Sequence, residues 1–153
     1  MMKRLKRTLS AILVLTCGFL SFNISANAQN EKMESALTKE ERAEGTLEFQ
    51  TKGQYLQEGQ TIIGNAGKGK VNAGGNTTAQ KVVDEVKIAV IVEQYNNGSW
   101  SQVYTWREVV YNDYVVSTSK TLNVPRGYYY RARGIHSANT DVGNSFTNGI
   151  WIG

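Results

Sequence analysis

An all-β domain, built as an antiparallel β-sandwich, is the fold class this sequence predicts, and three observations carry the prediction. Apolar and polar residues alternate with a period of two through most segments after Gly45. Gly, Asn and Pro punctuate those segments at short spacing, as turns between strands require. No long stretch of that region has the 3.6-residue apolar period of a helix able to reach a core. Roughly seven to nine short strands fit the pattern, and a small β-barrel is the alternative architecture.

The chain of 153 residues opens with a basic stretch, Met1 to Arg7, then the apolar run Ala11 to Leu20, then Ser21 to Ala28 ending in Ala26-Asn27-Ala28. A basic start, an apolar run of roughly ten residues and an A-x-A end mark a signal peptide, because spanning a bilayer takes about 20 apolar residues. Residues 1–28 are read as a leader cut between Ala28 and Gln29, leaving no integral membrane span and a secreted chain. Val14-Leu15-Thr16-Cys17 makes a poor lipidation signal, since Thr16 precedes the cysteine and Phe19-Leu20 carry the apolar run past it. Loss of Cys17, the single cysteine, excludes disulfides and thiol chemistry from the mature chain.

Residues 29–45 are polar, and Thr38-Lys39-Glu40-Glu41 has capping-box spacing, so this segment reads as flexible or as a short helix ending at Gly45. The β domain is expected over 46–153. Leu47 and Phe49 alternate with Glu48 and Gln50, Thr61-Ile62-Ile63 makes a short strand, and Gly64 to Gln80 is either a long loop or a pair of thin edge strands. The strongest strand is Val82 to Tyr95, with Val86, Ile88, Val90 and Val92 on one face and Lys87, Ala89, Ile91 and Glu93 on the other. Its partly apolar second face marks a central strand. Asn96-Asn97-Gly98 reads as a hairpin turn, because Asn and Gly accept positive φ. The return strand runs from Trp100 to Tyr111, and Asn112-Asp113 offers another turn before Tyr114-Val115-Val116. Lys120 to Val124, Tyr128 to His136 and Phe146 to Ile152 complete the set.

Asn123-Val124-Pro125-Arg126-Gly127-Tyr128-Tyr129-Tyr130-Arg131 resembles the corner before strand F of immunoglobulin-like and fibronectin-like sandwiches, which implies a tyrosine hydroxyl bonded back to nearby backbone. More broadly, the leader, the run from Val124 to His136 and the closing Ser145-Phe146-Thr147-Asn148-Gly149-Ile150 resemble a family of small secreted proteins of Gram-positive bacteria with no assigned function. That resemblance implies secretion and a β domain, and brings no catalytic residues with it.

Charge gives little direction. Of 17 basic residues, Lys3, Arg4, Lys6 and Arg7 lie in the leader, which leaves 13 against 13 acidic residues. The formal net charge of +4 belongs to the leader, so charge supplies no argument for nucleic acid as a partner.

Gly64-Asn65-Ala66-Gly67-Lys68-Gly69-Lys70-Val71 nearly fits a phosphate-binding loop, but Val71 stands where a hydroxyl must hold Mg²⁺, and Asn72-Ala73-Gly74-Gly75-Asn76 cannot open a helix. A Gly/Lys-rich surface loop is expected, with no nucleotide. His136, the single histidine, is read as a hydrogen-bonded or exposed residue at a strand end, with Asp141, Asp113, Ser137 and Ser145 as the partners a triad would need. Asn139, Asp141 and Asn144 are expected in one loop and read as a solvated turn rather than a Ca²⁺ site, so neither metal nor other cofactor is expected.

The aromatic residues carry most of the functional content. Even spacing puts Trp100, Tyr104 and Trp106 on one face of a regular strand, with Trp106 leaning toward the core and Trp100 toward exposure near its turn. Some of Trp100, Tyr104, Trp106, Tyr111, Tyr114, Tyr129 and Trp151 must lie at the surface or line a groove, where flat rings suit stacking on sugars or anchoring a protein, and Arg107, Arg131 and Arg133 supply rim charge. With no paired acids and no activated nucleophile, the sequence reads as a non-catalytic module binding cell-wall polysaccharide or a surface protein. A secreted antimicrobial or toxin-like effector is the alternative.

Overall fold

The computed structural model describes residues 35–49 and 53–153. Residues 1–28, the Ala28/Gln29 junction and Cys17 lie outside the described residues. Among the described residues eight strands form one sheet that curls into a half-barrel, so the fold is all-β and nearer to the barrel alternative than to two separate sheets.

A very long hairpin is its frame. Strand β4 (Lys70–Asn96) and strand β5 (Ser99–Asn123) pair antiparallel over almost their whole lengths. Asn97 and Gly98 join them with φ of 49° and 83°, the two positive values that a tight hairpin turn requires. The hairpin bends midway. Between the pairs Thr78↔Val115 and Val83↔Asp113, residues 79–82 of β4 oppose Tyr114 alone, and Asn112 takes φ 53°. Asn112-Asp113 is therefore not a turn between strands but the corner of one strand, where extra residues on its partner turn the sheet.

Each half of β4 has a different second neighbour. The first half pairs with β3 (Leu56–Asn65), which pairs in turn with β2 (Arg42–Thr46). The second half pairs with β6 (Tyr128–Ala138), and β6 pairs with both β7 (Asp141–Phe146) and β8 (Gly149–Ile152). Strand β1 (Leu37–Thr38) runs parallel to β8. The bend folds β3 over β6 and β7, which it packs against without pairing to them. Ile63, Val71, Val86, Ile88, Val90, Val92, Tyr130, Ile150 and Ile152 fill the space between, all fully buried.

Of the polar segment 29–45, residues 29–34 lie outside the described residues, and the rest holds two short strands, Leu37–Thr38 and Arg42–Thr46, and no helix. Arg42–Thr46 completes the edge of β3, and Gly45 lies so close to the Phe146 carbonyl that a side chain would collide with it. An open sheet edge overrode a local capping signal. Among the described residues the sheet thus already includes strands that begin before residue 46. Gly64 to Gln80 is the β3–β4 turn followed by regular strand, with Gly67 and Gly69 at positive φ and Val71 buried in β4. At the far corner the Tyr130 hydroxyl donates to the Pro125 carbonyl at 2.6 Å, as the sandwich resemblance implied.

Candidate functional site

The turn at Asn97-Gly98 sets Tyr95 directly opposite Trp100, and the remaining ladders extend that row. Tyr95 also opposes Tyr129 of β6, and Tyr129 opposes Trp151 of β8. Four aromatic side chains from four neighbouring strands thus stand in one line across the outer, convex face: Trp100, Tyr95, Tyr129, Trp151. The rings of Tyr95 and Trp100 have centroids 5.0 Å apart, inclined at 57°. Those of Tyr129 and Trp151 are also 5.0 Å apart and meet edge to face. Trp151 keeps 42% of its surface exposed, while the other three are half-buried.

Behind the row lies a charged pair. Arg131 Nε donates to Glu93 Oε2 at 2.6 Å, and both side chains are about nine-tenths buried although they project from the outer face. Trp100 covers them, its ring centroid 4.5 Å from the guanidinium carbon, and Phe146 closes the other side at 5.2 Å. Arg131 also reaches Ser35 Oγ at 3.1 Å. It is thus a braced positioning group beneath the aromatic row rather than a rim charge.

Trp100, Tyr104 and Trp106 do not share a face. Val92 opposes Tyr104 while Glu93 opposes Gln102, so Val103 is an extra residue in β5 and the alternation restarts after it. Trp100 stays outside, whereas Tyr104 and Trp106 turn inward opposite Val92 and Val90. There the Tyr104 hydroxyl donates to the Asn123 carbonyl at 2.7 Å. Trp106 packs against the core, donates from Nε1 to Thr118 Oγ1 at 3.0 Å and lies under the Lys120 ammonium. Of the six residues proposed for binding, Trp100, Tyr129, Arg131 and Trp151 come together and the other two do not. Tyr95, Glu93 and Phe146 escaped the sequence reading. Tyr95 was accessible to it, because a two-residue turn at Asn97-Gly98 forces Tyr95 opposite Trp100.

His136 lies near the C-terminal end of β6, fully buried and hydrogen-bonded rather than exposed, with Nδ1 2.8 Å from Thr77 Oγ1 and Nε2 2.7 Å from Ser145 Oγ. Thr61 Oγ1 joins the same knot through Ser145. One residue each from β3, β4, β6 and β7 is tied here, and Gly59 and Gly134 leave the room that the imidazole fills. Burial pushes its pKa down to about 4, so the ring is neutral. A hydroxyl beside a neutral imidazole is the local chemistry of a nucleophile, but Thr61, Thr77, His136 and Ser145 are all sealed from solvent. Asp141 belongs to β7 rather than a loop, and its Oδ2 accepts the amides of Leu56 and Tyr55, which lowers its pKa. Asn139, at φ 48°, turns β6 into β7 and holds the Glu85 amide.

The profile of a family of unknown function, DUF6147, matches residues 31–150. The chain belongs to the DUF6147 family. The match takes in β1 to β7 and the start of β8, and ends before Trp151. No curated protein matches the sequence of this DUF6147 member.

Proposed function

We propose that this domain is an exported, non-catalytic binding module whose ligand lies across the outer aromatic row, and that the ligand is a polysaccharide of the cell envelope. The observation that carries the reading is the line Trp100, Tyr95, Tyr129, Trp151, held on one convex face by four paired strands and braced from beneath by the Glu93–Arg131 pair. Rigid rings fixed by a sheet lose little entropy on binding and offer broad apolar faces with polar edges, which suits sugar rings. The leader supports export. Co-sedimentation of the purified protein with washed bacterial cell walls tests the reading, with Trp151→Ala as the comparison. Wild-type protein should pellet with the walls, and the variant should bind at least about ten-fold more weakly at an unchanged melting temperature, as for an exposed anchor. Equal pelleting of both proteins, or of neither, defeats it.

A further inference from the structure

The outer face beyond the aromatic row carries cations with no ion pair among the described residues. On this face β4 presents Glu85, Lys87, Ala89, Ile91 and Glu93, and its acids are committed, Glu85 to Lys87 and Glu93 to Arg131. Arg107 of β5 and Arg133 of β6 flank the same strand and have no ion pair among the described residues. Arg107 lies opposite Ala89, and Arg133 lies opposite Ile91, one step along. Strand spacing and rise place their Cα atoms about 12 Å apart, a span that two arginine side chains can close over the small Ala89.

Arg133 is the more telling of the two. Its Nε is buried with no hydrogen-bond acceptor, and its guanidinium makes only a distant approach to the Phe146 ring, 6.0 Å from the centroid. A charged donor left without an acceptor costs more than a neutral one, so this half-buried guanidinium has much to gain from ligand oxygens that reach its outer nitrogens. Ser137 Oγ, the other buried side-chain atom without a partner among the described residues, projects from the same face of β6. A planar guanidinium favours ligands with two or more acceptor oxygens in one plane or fork.

We propose that Arg133 and Arg107 form an anion-binding site over Ala89, next to the aromatic row, that takes a phosphate or carboxylate group. The module's ligand is then an anionic envelope polysaccharide, its sugars on the aromatic row and its acidic group between the arginines. The inference rests on the binding-module reading for its polymer, but the anion site can be tested without one.

Two measurements separate the two claims. Inorganic phosphate should raise the melting temperature of the wild-type protein more than sodium chloride at equal ionic strength. That difference should vanish in Arg133→Gln and in Arg107→Gln, with both variants folded by circular dichroism. No difference between the salts in wild type overturns the site, whatever the walls show. In co-sedimentation with cell walls, each arginine variant should bind at least ten-fold more weakly than wild type. Walls stripped of phosphodiester-linked polymers by hydrofluoric acid should lose the protein if phosphate is the group, and walls with amidated carboxyls should lose it if carboxylate is. Undiminished binding to both treated walls overturns the inference. So does binding that falls with Trp151→Ala and not with either arginine variant, an outcome that leaves the binding-module reading standing.

Discussion

Nε2 of His136 and Oγ of Ser145 stand 2.7 Å apart in a core that admits no water to either. This contact joins β6 to β7, and Thr77 and Thr61 extend it to β4 and β3, so the one titratable group of the knot governs how the layers of the half-barrel hold together.

Stability should therefore fall on mild acidification. Burial depresses the His136 pKa from 6.5 to about 4, so between those values the unfolded chain binds a proton that the folded chain refuses. Stability from this group is complete above about pH 6.5 and is lost progressively as the pH drops toward 4, by about 3 kcal/mol in all. Asp141, whose pKa is lowered by the amides of Leu56 and Tyr55, acts in the same direction but only below its ordinary value of 3.8. Urea midpoints measured from pH 8 to 4 should decline mainly below pH 6.5. A flat profile over that window would mean the imidazole is solvated.

Trp106 and Trp151 should separate stability from binding. Trp106 packs on the core and gives its indole hydrogen to Thr118, so Trp106→Ala should cost about 3 kcal/mol of folding free energy. Trp151 keeps an exposed face on the outer surface, and its replacement by Ala should stay within about 1 kcal/mol. Thermal or urea unfolding of the two variants checks both, and comparable losses would contradict the assignment of faces.

Much of this architecture could be read from the chain, because period-two alternation and the Asn97-Gly98 turn are local signals. The face of Val86, Ile88, Val90 and Val92 is the core face observed. What escaped depended on distant partners. Val103 is an extra residue only relative to Glu93 and Val92, so even spacing put Trp100 and Trp106 on one face where the ladder puts them on two. Asn112 announced a break, but only the extra length of β4 shows that the break is a corner. The polar stretch Arg42–Thr46 becomes strand because β3 offers it an edge. The Glu93–Arg131 pair was hidden for the same reason, since 38 residues of chain separate its members.

That pair makes its own prediction. Glu93→Leu leaves the Arg131 guanidinium buried between Trp100 and Phe146 without its carboxylate, and should cost about 3 kcal/mol. Glu93→Leu with Arg131→Met removes both charges and should be markedly less costly than Glu93→Leu alone. Urea unfolding of the single and double variants decides it. A double variant worse than the single one would show that the contacts of Arg131 with Ser35 and the rings outweigh its charge pairing.

Deleting Val103 tests the bulge itself. Without it, Gln102 would still oppose Glu93 and Tyr104 would still oppose Val92, now as consecutive residues of a regular strand. Trp100 should therefore remain on the outer face over Arg131 and Trp106 on the inner one, with stability changed by only about 1 kcal/mol. The unpaired edge should change more. Among the described residues β5 pairs only with β4, and along its length Val103, Tyr104, Tyr111, Tyr114 and Val115 are exposed. A bulge twists such an edge away from another strand, and removing it presents a longer regular template for pairing between molecules. The deletion variant should thus keep the melting temperature and tryptophan emission of the wild type in dilute solution and associate at concentrations where the wild type does not, as light scattering would report. An early red shift of tryptophan emission would instead show that Trp100 had left Arg131, and that Val103 sets the face of the ring rather than the shape of the edge.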